Sequence, residues 1–168
     1  GHGTHCAGTA AGNTYGSAHN ATIVSVKAAN AQGSLETGSL VRSIKWAVTQ
    51  QKQKYKGQAA VFSISLRTMP SKAIDAATKK AAKAGHIVVV AAGNDISDSC
   101  YFSPQRMGGK AKERSIDVIN VMASDYNDDL SFFSNFGTCA DIIAPGSDIL
   151  SAGITSHNAS RISSGTSM

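Results

Sequence analysis

The chain has 168 residues, enough for one domain with a sizeable core. Hydrophobic residues make up 42% of it and charged residues only 16%, which excludes a disordered tail, and no apolar run approaches the ~20 residues of a membrane span. The net charge of +5 raises nucleic acid as a partner, but the basic residues are scattered without aromatic neighbours to stack bases. Lys52, Lys54 and Lys56 close one predicted helix, Lys79, Lys80 and Lys83 lie on another, and Lys110, Lys112 and Arg114 fall in a polar loop. Solvated surfaces account for them, so neither nucleic acid nor membrane is expected as a partner.

In chain order, Gly1-His2-Gly3-Thr4-His5 opens a predicted helix, and Ile23 to Ala28 reads as a short strand. Gly38 to Tyr55 carries Leu40, Val41, Ile44 and Val48 at helical spacing, with Trp46 as a packing residue. Ala59 to Ile64 is a second strand. Ser71 to Ala84 is an Ala- and Lys-rich helix, begun after Pro70, capped by Ser71 and stopped at Gly85. Ile87 to Ala92 is wholly apolar and mostly β-branched, as expected of a strand buried on both faces. A polar loop follows from Asp95 to Glu113, then strands at Val118 to Ala123 and Ile142 to Ala144. This alternation predicts an α/β fold, with a mostly parallel sheet covered by helices on both faces. Functional residues in such sheets gather where strands end, which points to Gly93-Asn94.

Cys6, Cys100 and Cys139 form no C-x-x-C pair and so suggest no metal site. One disulfide and one free thiol is the simplest arithmetic. Cys100 and Cys139 lie in loop-like sequence and Cys6 in the opening helix, so the expected bridge is Cys100 to Cys139, formed in an oxidising compartment.

A histidine near a helix N-terminus meets the positive end of the dipole, which favours the neutral imidazole that a general base needs. His2 and His5 are also spaced as a metal pair, but without a third ligand they are poor evidence for zinc. At the other end, Ser163-Ser164-Gly165-Thr166-Ser167-Met168 is a turn in which any one serine is more often a hydrogen-bonder than a nucleophile. The combination is more informative. Gly1 to Thr9 (GHGTHCAGT), Ala91 to Asn94 (AAGN) and Ser164 to Met168 (SGTSM) resemble the three signature blocks of subtilisin-like serine proteases, the subtilases, nearest their proteinase K-like branch. Further matching stretches are Val26-Lys27, Ser65-Leu66, Ser131 to Gly137 (SFFSNFG) and Ala144-Pro145-Gly146, so the resemblance spans the chain.

The resemblance implies the subtilisin-like three-layer sandwich and a secreted serine endopeptidase acting through an acyl-enzyme. It makes His2 the general base, His5 its structural neighbour, Ser167 the nucleophile and Asn94 the oxyanion donor. Substrate would add as a strand between Gly33-Ser34-Leu35 and Ser65-Leu66-Arg67, with Ala91, Ala92 and Gly93 lining a pocket for a large apolar or aromatic side chain. Arg67-Thr68 stands where the family usually has two glycines, implying a narrower groove or a preference for acidic substrate positions. The chemistry needs no cofactor; a structural calcium ion is implied at Asp141, working with carbonyls near Pro104. Cys6 would remain a free thiol.

Expected partners are protein or peptide substrates, with propeptide or protein inhibitors, and the enzyme would be a monomer. Family order places the triad aspartate before the histidine. Asp75, Asp95, Asp117, Asp125 and Asp141 have no claim to that role, so the acid is expected upstream of Gly1. Residues 1–168 then read as a partial catalytic domain, inactive alone. Two other readings stay open: an α/β-hydrolase esterase, in which Gly165-Thr166-Ser167 would begin a nucleophile elbow, and a non-catalytic binding module on the subtilase fold.

Overall fold

The computed structural model describes residues 1–110 and 118–168. Its centre is a parallel sheet of four strands in chain order: β1 (Val61–Ile64), β2 (Ile87–Ala91), β3 (Val118–Ser124) and β4 (Ile142–Pro145). Val61 pairs with Ile87, Val88 with Val118 and Val121 with Ile142, so the strand ends step along one edge of the molecule. Among the described residues, three α-helices accompany the sheet: α1 (His2–Ala11), α2 (Thr37–Lys54) and α3 (Lys72–Lys83). Residues 111–117, with Lys112, Arg114 and Asp117 of the polar stretch, lie outside the described part.

Helix α3 has the ends its sequence predicts. The Ser71 hydroxyl accepts from the Ile74 N–H at 3.4 Å, Asp75 sits in the first turn, and Lys80 and Lys83 oppose the negative end of the dipole. Ile74, Ala77 and Ala81 recur at helical spacing and are buried against α2 and the sheet. Leu40 and Ile44 come from α2; Val88, Val90 and Val118 come from the strands. Within β2, Val88, Val90 and Ala91 are buried, as is Ala92 just beyond it. Its first residue, Ile87, is 48% exposed, so the expectation of burial on both faces fails at the start of the strand.

Two other expectations change. Ile23 to Ala28 forms no ladder among the described residues, and Ile23, Val24 and Val26 are exposed. β-propensity makes a strand only where a neighbour accepts its backbone hydrogen bonds, and none does here. Conversely, an unpredicted antiparallel hairpin joins β5 (Ile149–Ala152) to β6 (Ser160–Ser163). Helix α1 packs on this hairpin. Gly8 allows the approach, because a Cβ there would collide with the Ser151 hydroxyl, which itself donates to the His5 carbonyl at 2.9 Å. Cys100 and Cys139 are bonded as expected. Closing a loop with a sequence separation of 39 contributes about 4 kcal/mol on a chain-entropy model.

His86, ahead of β2, is buried and stacks on Phe62 with ring centroids 4.9 Å apart. Burial, and secondarily the Lys52 charge, push its pKa below the ordinary 6.5. The folded state therefore binds fewer protons than the unfolded chain as pH falls below that value, and stability declines toward acid. In the full-length protein, His86→Phe should reduce this slope. Urea midpoints at pH 7.5 and pH 5 check it: an equal acid-induced drop in both proteins counts against the assignment.

Candidate active site

The end of β2 and the serine turn are locked together by side-chain hydrogen bonds. Past Ala91 and Ala92, the Gly93 N–H donates to the Thr166 hydroxyl at 3.0 Å. That hydroxyl donates to Asn94 Oδ1 at 2.9 Å, and the Thr166 N–H donates to the same oxygen at 2.9 Å. A backbone N–H can only donate, so the Asn94 atom facing it must be the oxygen. Nδ2 is thereby turned the other way, as a donor beside the turn that carries Ser167. From the end of β1, the Ser65 hydroxyl reaches the Ser167 carbonyl at 3.3 Å.

Gly93 has φ +106, a conformation that favours glycine, and a Cβ there would collide with Asn135. Asn135 is fully buried and staples this loop. Its Oδ1 accepts from the N–H groups of Asp95 and Ser97, its Nδ2 donates to the Ala92 carbonyl, and its own N–H donates to the Gly93 carbonyl. Sequence reasoning missed this positioning residue; the signal was the asparagine inside SFFSNFG.

A pocket of about 230 Å³ opens between the segments, lined by Ser65, Leu66, Arg67, Ala91, Gly93, Asn94, Gln105, Thr166 and Ser167. Most of the residues singled out in sequence thus converge, with Ala92 buried behind. Gly33, Ser34 and Leu35 do not line it: Asn30 Oδ1 closes a turn by accepting the Gln32 and Ser34 N–H groups, and Leu35 packs toward the core. Arg67 forms an ion pair with Asp95 and lies over the Phe102 ring at 4.6 Å, while Thr68 pairs with Ser103 through backbone hydrogen bonds. The guanidinium is committed across the mouth, which matches a narrowed groove better than a docking point for acidic residues.

His2 begins α1 and is exposed, while its neighbour His5 is buried. Partial desolvation lowers the His2 pKa below the ordinary 6.5, so the imidazole is neutral near pH 7. Its Nε2 lies 3.7 Å from Cys6 Sγ, and no described hydrogen bond joins it to Ser167 or to a carboxylate. Catalytic hydrogen bonds are commonly loose without substrate. Cys6 in turn is held up by burial, partly offset by its hydrogen bond with Ser65, which makes it a poor thiolate. His5 plays a different part. Its Nε2 meets the carbonyls of Ile149 and Arg161, both at 3.0 Å, and pins α1 to the hairpin. A nitrogen facing two carbonyls carries a proton and is no metal ligand.

Asp141 Oδ2 accepts the N–H groups of Gly109 at 2.8 Å and Asn120 at 2.9 Å. Calcium would need oxygen donors converging there. That carboxylate oxygen is held here by two amide donors, through which Asp141 as described anchors this loop.

The parallel α/β sheet thus brings a serine turn, an oriented amide and a small-residue pocket to its strand ends. The chain belongs to the subtilase family, whose model matches residues 1–168. It is 43% identical, over its whole length, to a subtilase-type proteinase of Schizosaccharomyces pombe, covering 36% of that protein. It is 42% identical to an extracellular serine proteinase of a Thermus species, again over the whole chain, covering 38% of that relative. The crystal structure of a cold adapted subtilisin-like serine proteinase superposes with a TM-score of 0.85 at 35% identity, covering all of this chain and 56% of that one. The fold is therefore subtilisin-like, and the chain spans little more than a third of the length of these curated relatives.

Proposed function

We propose that the protein carrying this chain is a secreted serine endopeptidase, with residues 1–168 forming part of its catalytic domain. Ser167 Oγ attacks the peptide carbonyl while His2 takes its proton; a tetrahedral intermediate forms and collapses to an acyl-enzyme as His2 protonates the leaving amine. Water, activated by His2, then releases the acid product. The oxyanion is held by Asn94 Nδ2 and the Ser167 N–H. The observation that carries this reading is the Asn94–Thr166 lock, which leaves the amide donor directed away from Thr166, next to the nucleophile turn. The carboxylate that orients His2 is supplied by the rest of the protein.

Protein or peptide substrates lie along the Ser65 to Arg67 segment, and the chemistry calls for no cofactor. The Cys100–Cys139 bond and a relative named as an extracellular serine proteinase support secretion. Membership of the whole chain in the subtilase family leaves no ground for the α/β-hydrolase esterase. The remaining rival is the non-catalytic binding module. Treating the full-length protein with a sulfonyl fluoride separates the two: mass spectrometry should find the adduct on Ser167, whereas a folded protein that stays unlabelled there supports the module.

A further inference from the structure

Charge is divided along the direction of the strands. Helix α3 crosses between the parallel strands β1 and β2, so it ends at the amino edge of the sheet, opposite the pocket at the carboxyl ends. Helix α2 ends there too: a short turn leads from it into β1, and the Lys52 charge adds to burial in lowering the pKa of His86, just ahead of β2. Lys52 and Lys54 in the last turn of α2, Lys56 just beyond it, and Lys79, Lys80 and Lys83 toward the end of α3 therefore share one pole of the molecule. Five of the six are exposed and Lys79 is partly so. None is in an ion pair among the described residues, where the pairs are Arg67–Asp95 and Arg106–Asp75. From Thr37 to Asn94 the only acid is Asp75, at the opposite end of α3. The acids gather at the other pole: Asp95 and Asp98 follow β2, Asp125, Asp128 and Asp129 follow β3, and Asp148 follows β4. Helix dipoles explain cations in the last turns. They do not explain Lys56, outside α2, or the crowding of Lys79 and Lys80 against Lys83, since like charges at these spacings repel.

We propose that this basic pole is a docking surface for a linear acidic polysaccharide, which holds the enzyme with its pocket facing away. A chain of closely spaced anions gains by giving up its counterions to clustered lysines and needs no fitted pocket. Lysine ammonium groups are point charges, without the fork by which arginine grips phosphates, so the surface reads charge density and not a motif. The aromatic rings nearest in sequence, Tyr55 and Phe62, are engaged by Lys54 and His86, so neither is offered to a nucleic-acid base. On α3 the exposed residues are lysine and alanine, with no long apolar side chain to enter a lipid interface. The choice of polymer rests on the secreted setting proposed above, where the anionic chains that an enzyme meets include polysaccharides. The acids at the strand ends make the docking one-sided: the polymer that is drawn to the lysines is repelled from the rim of the pocket, which stays open to substrate.

The probe is fluorescently labelled heparin, a sulfated linear polysaccharide, and the protein is full-length. On the counterion-release scale of duplex DNA, affinity should fall about a thousandfold between 50 and 200 mM salt if all six lysines engage, and about fortyfold in the triple variant Lys52→Gln, Lys80→Gln, Lys83→Gln. A control triple, Arg42→Gln, Lys45→Gln, Lys72→Gln, removes the same charge from elsewhere on the two helices and should keep the wild-type slope. Equal losses in both triples would mean that net charge alone binds, and would overturn the proposal. Duplex DNA or phosphatidylserine vesicles binding the wild type as tightly as heparin at the higher salt would overturn the choice of polysaccharide. Saturating heparin should leave kcat/KM for a small chromogenic peptide unchanged; inhibition would put the polymer over the pocket and overturn the outward orientation. A thermal melt confirms that the variants fold. If one does not, wild-type binding that is absent or indifferent to salt still overturns the proposal. Failure to hydrolyse any peptide, with or without heparin, counts against the peptidase reading and not against this one, because the salt series is read without activity.

Discussion

Replacing Ser167 by alanine in the full-length protein is expected to lower kcat for peptide hydrolysis by about a millionfold. That magnitude comes from subtilisin, a relative, in which loss of the nucleophile removes the whole covalent route and leaves only oxyanion stabilisation and binding. The backbone of the turn should survive the change. The hydrogen bonds that hold it come from Thr166, both N–H and hydroxyl, and from the Ser167 carbonyl, none of which uses the Ser167 side chain. Substrate binding should therefore persist while turnover vanishes. Single-turnover kinetics with a chromogenic peptide would measure this, and a loss of less than about tenfold would remove Ser167 from the reaction.

Asn94 offers a sharper dissection because its two ends have different partners. Asn94→Leu should lower kcat by about a hundred- to a thousandfold with little change in KM; this scale too is known from subtilisin, when its oxyanion asparagine is removed. Leucine also deletes the acceptor of the Thr166 N–H and hydroxyl, however, so part of its effect would come from a loosened turn. Asn94→Asp separates the contributions. The aspartate keeps an oxygen for Thr166 but replaces the Nδ2 donor by a charged oxygen facing the developing oxyanion. If Nδ2 acts on the transition state, the aspartate variant should be at least as impaired as the leucine variant while melting closer to wild type. Near-native turnover in Asn94→Asp would show that the residue serves only to hold Thr166.

What could be read from sequence follows from how local each feature is. The capped helix at α3 and the apolar run of β2 are written in adjacent residues, and both stand close to where pattern and capping place them. The Cys100–Cys139 pairing followed from which cysteines lay in loops. Asn94 and Ser167 could be named because their surrounding blocks are distinctive. Asn135 and Gln105 could not, since their meaning lies in carbonyls and N–H groups far along the chain that only the fold brings near. Ile23 to Ala28 failed for a related reason: alternation of apolar residues gives a segment the capacity to pair, and pairing depends on a neighbour. The antiparallel hairpin of β5 and β6 was hidden by its polar content, Ser151, Ser160, Arg161 and Ser163, of which only Ser151 is fully buried.

The Cys100–Cys139 bond also bears on how such an enzyme would survive its own kind. A secreted endopeptidase shares solution with other copies of itself, and exposed polar loops are where nicking concentrates. A single cut anywhere between residues 100 and 139 leaves the two pieces covalently joined, so the severed ends remain at high effective concentration and reassociation is intramolecular. The bracket encloses β3 and Asn135, together with Gln105, the side chain that ties the pocket walls. Self-digestion in this stretch would interrupt the chain without releasing the parts that shape the site.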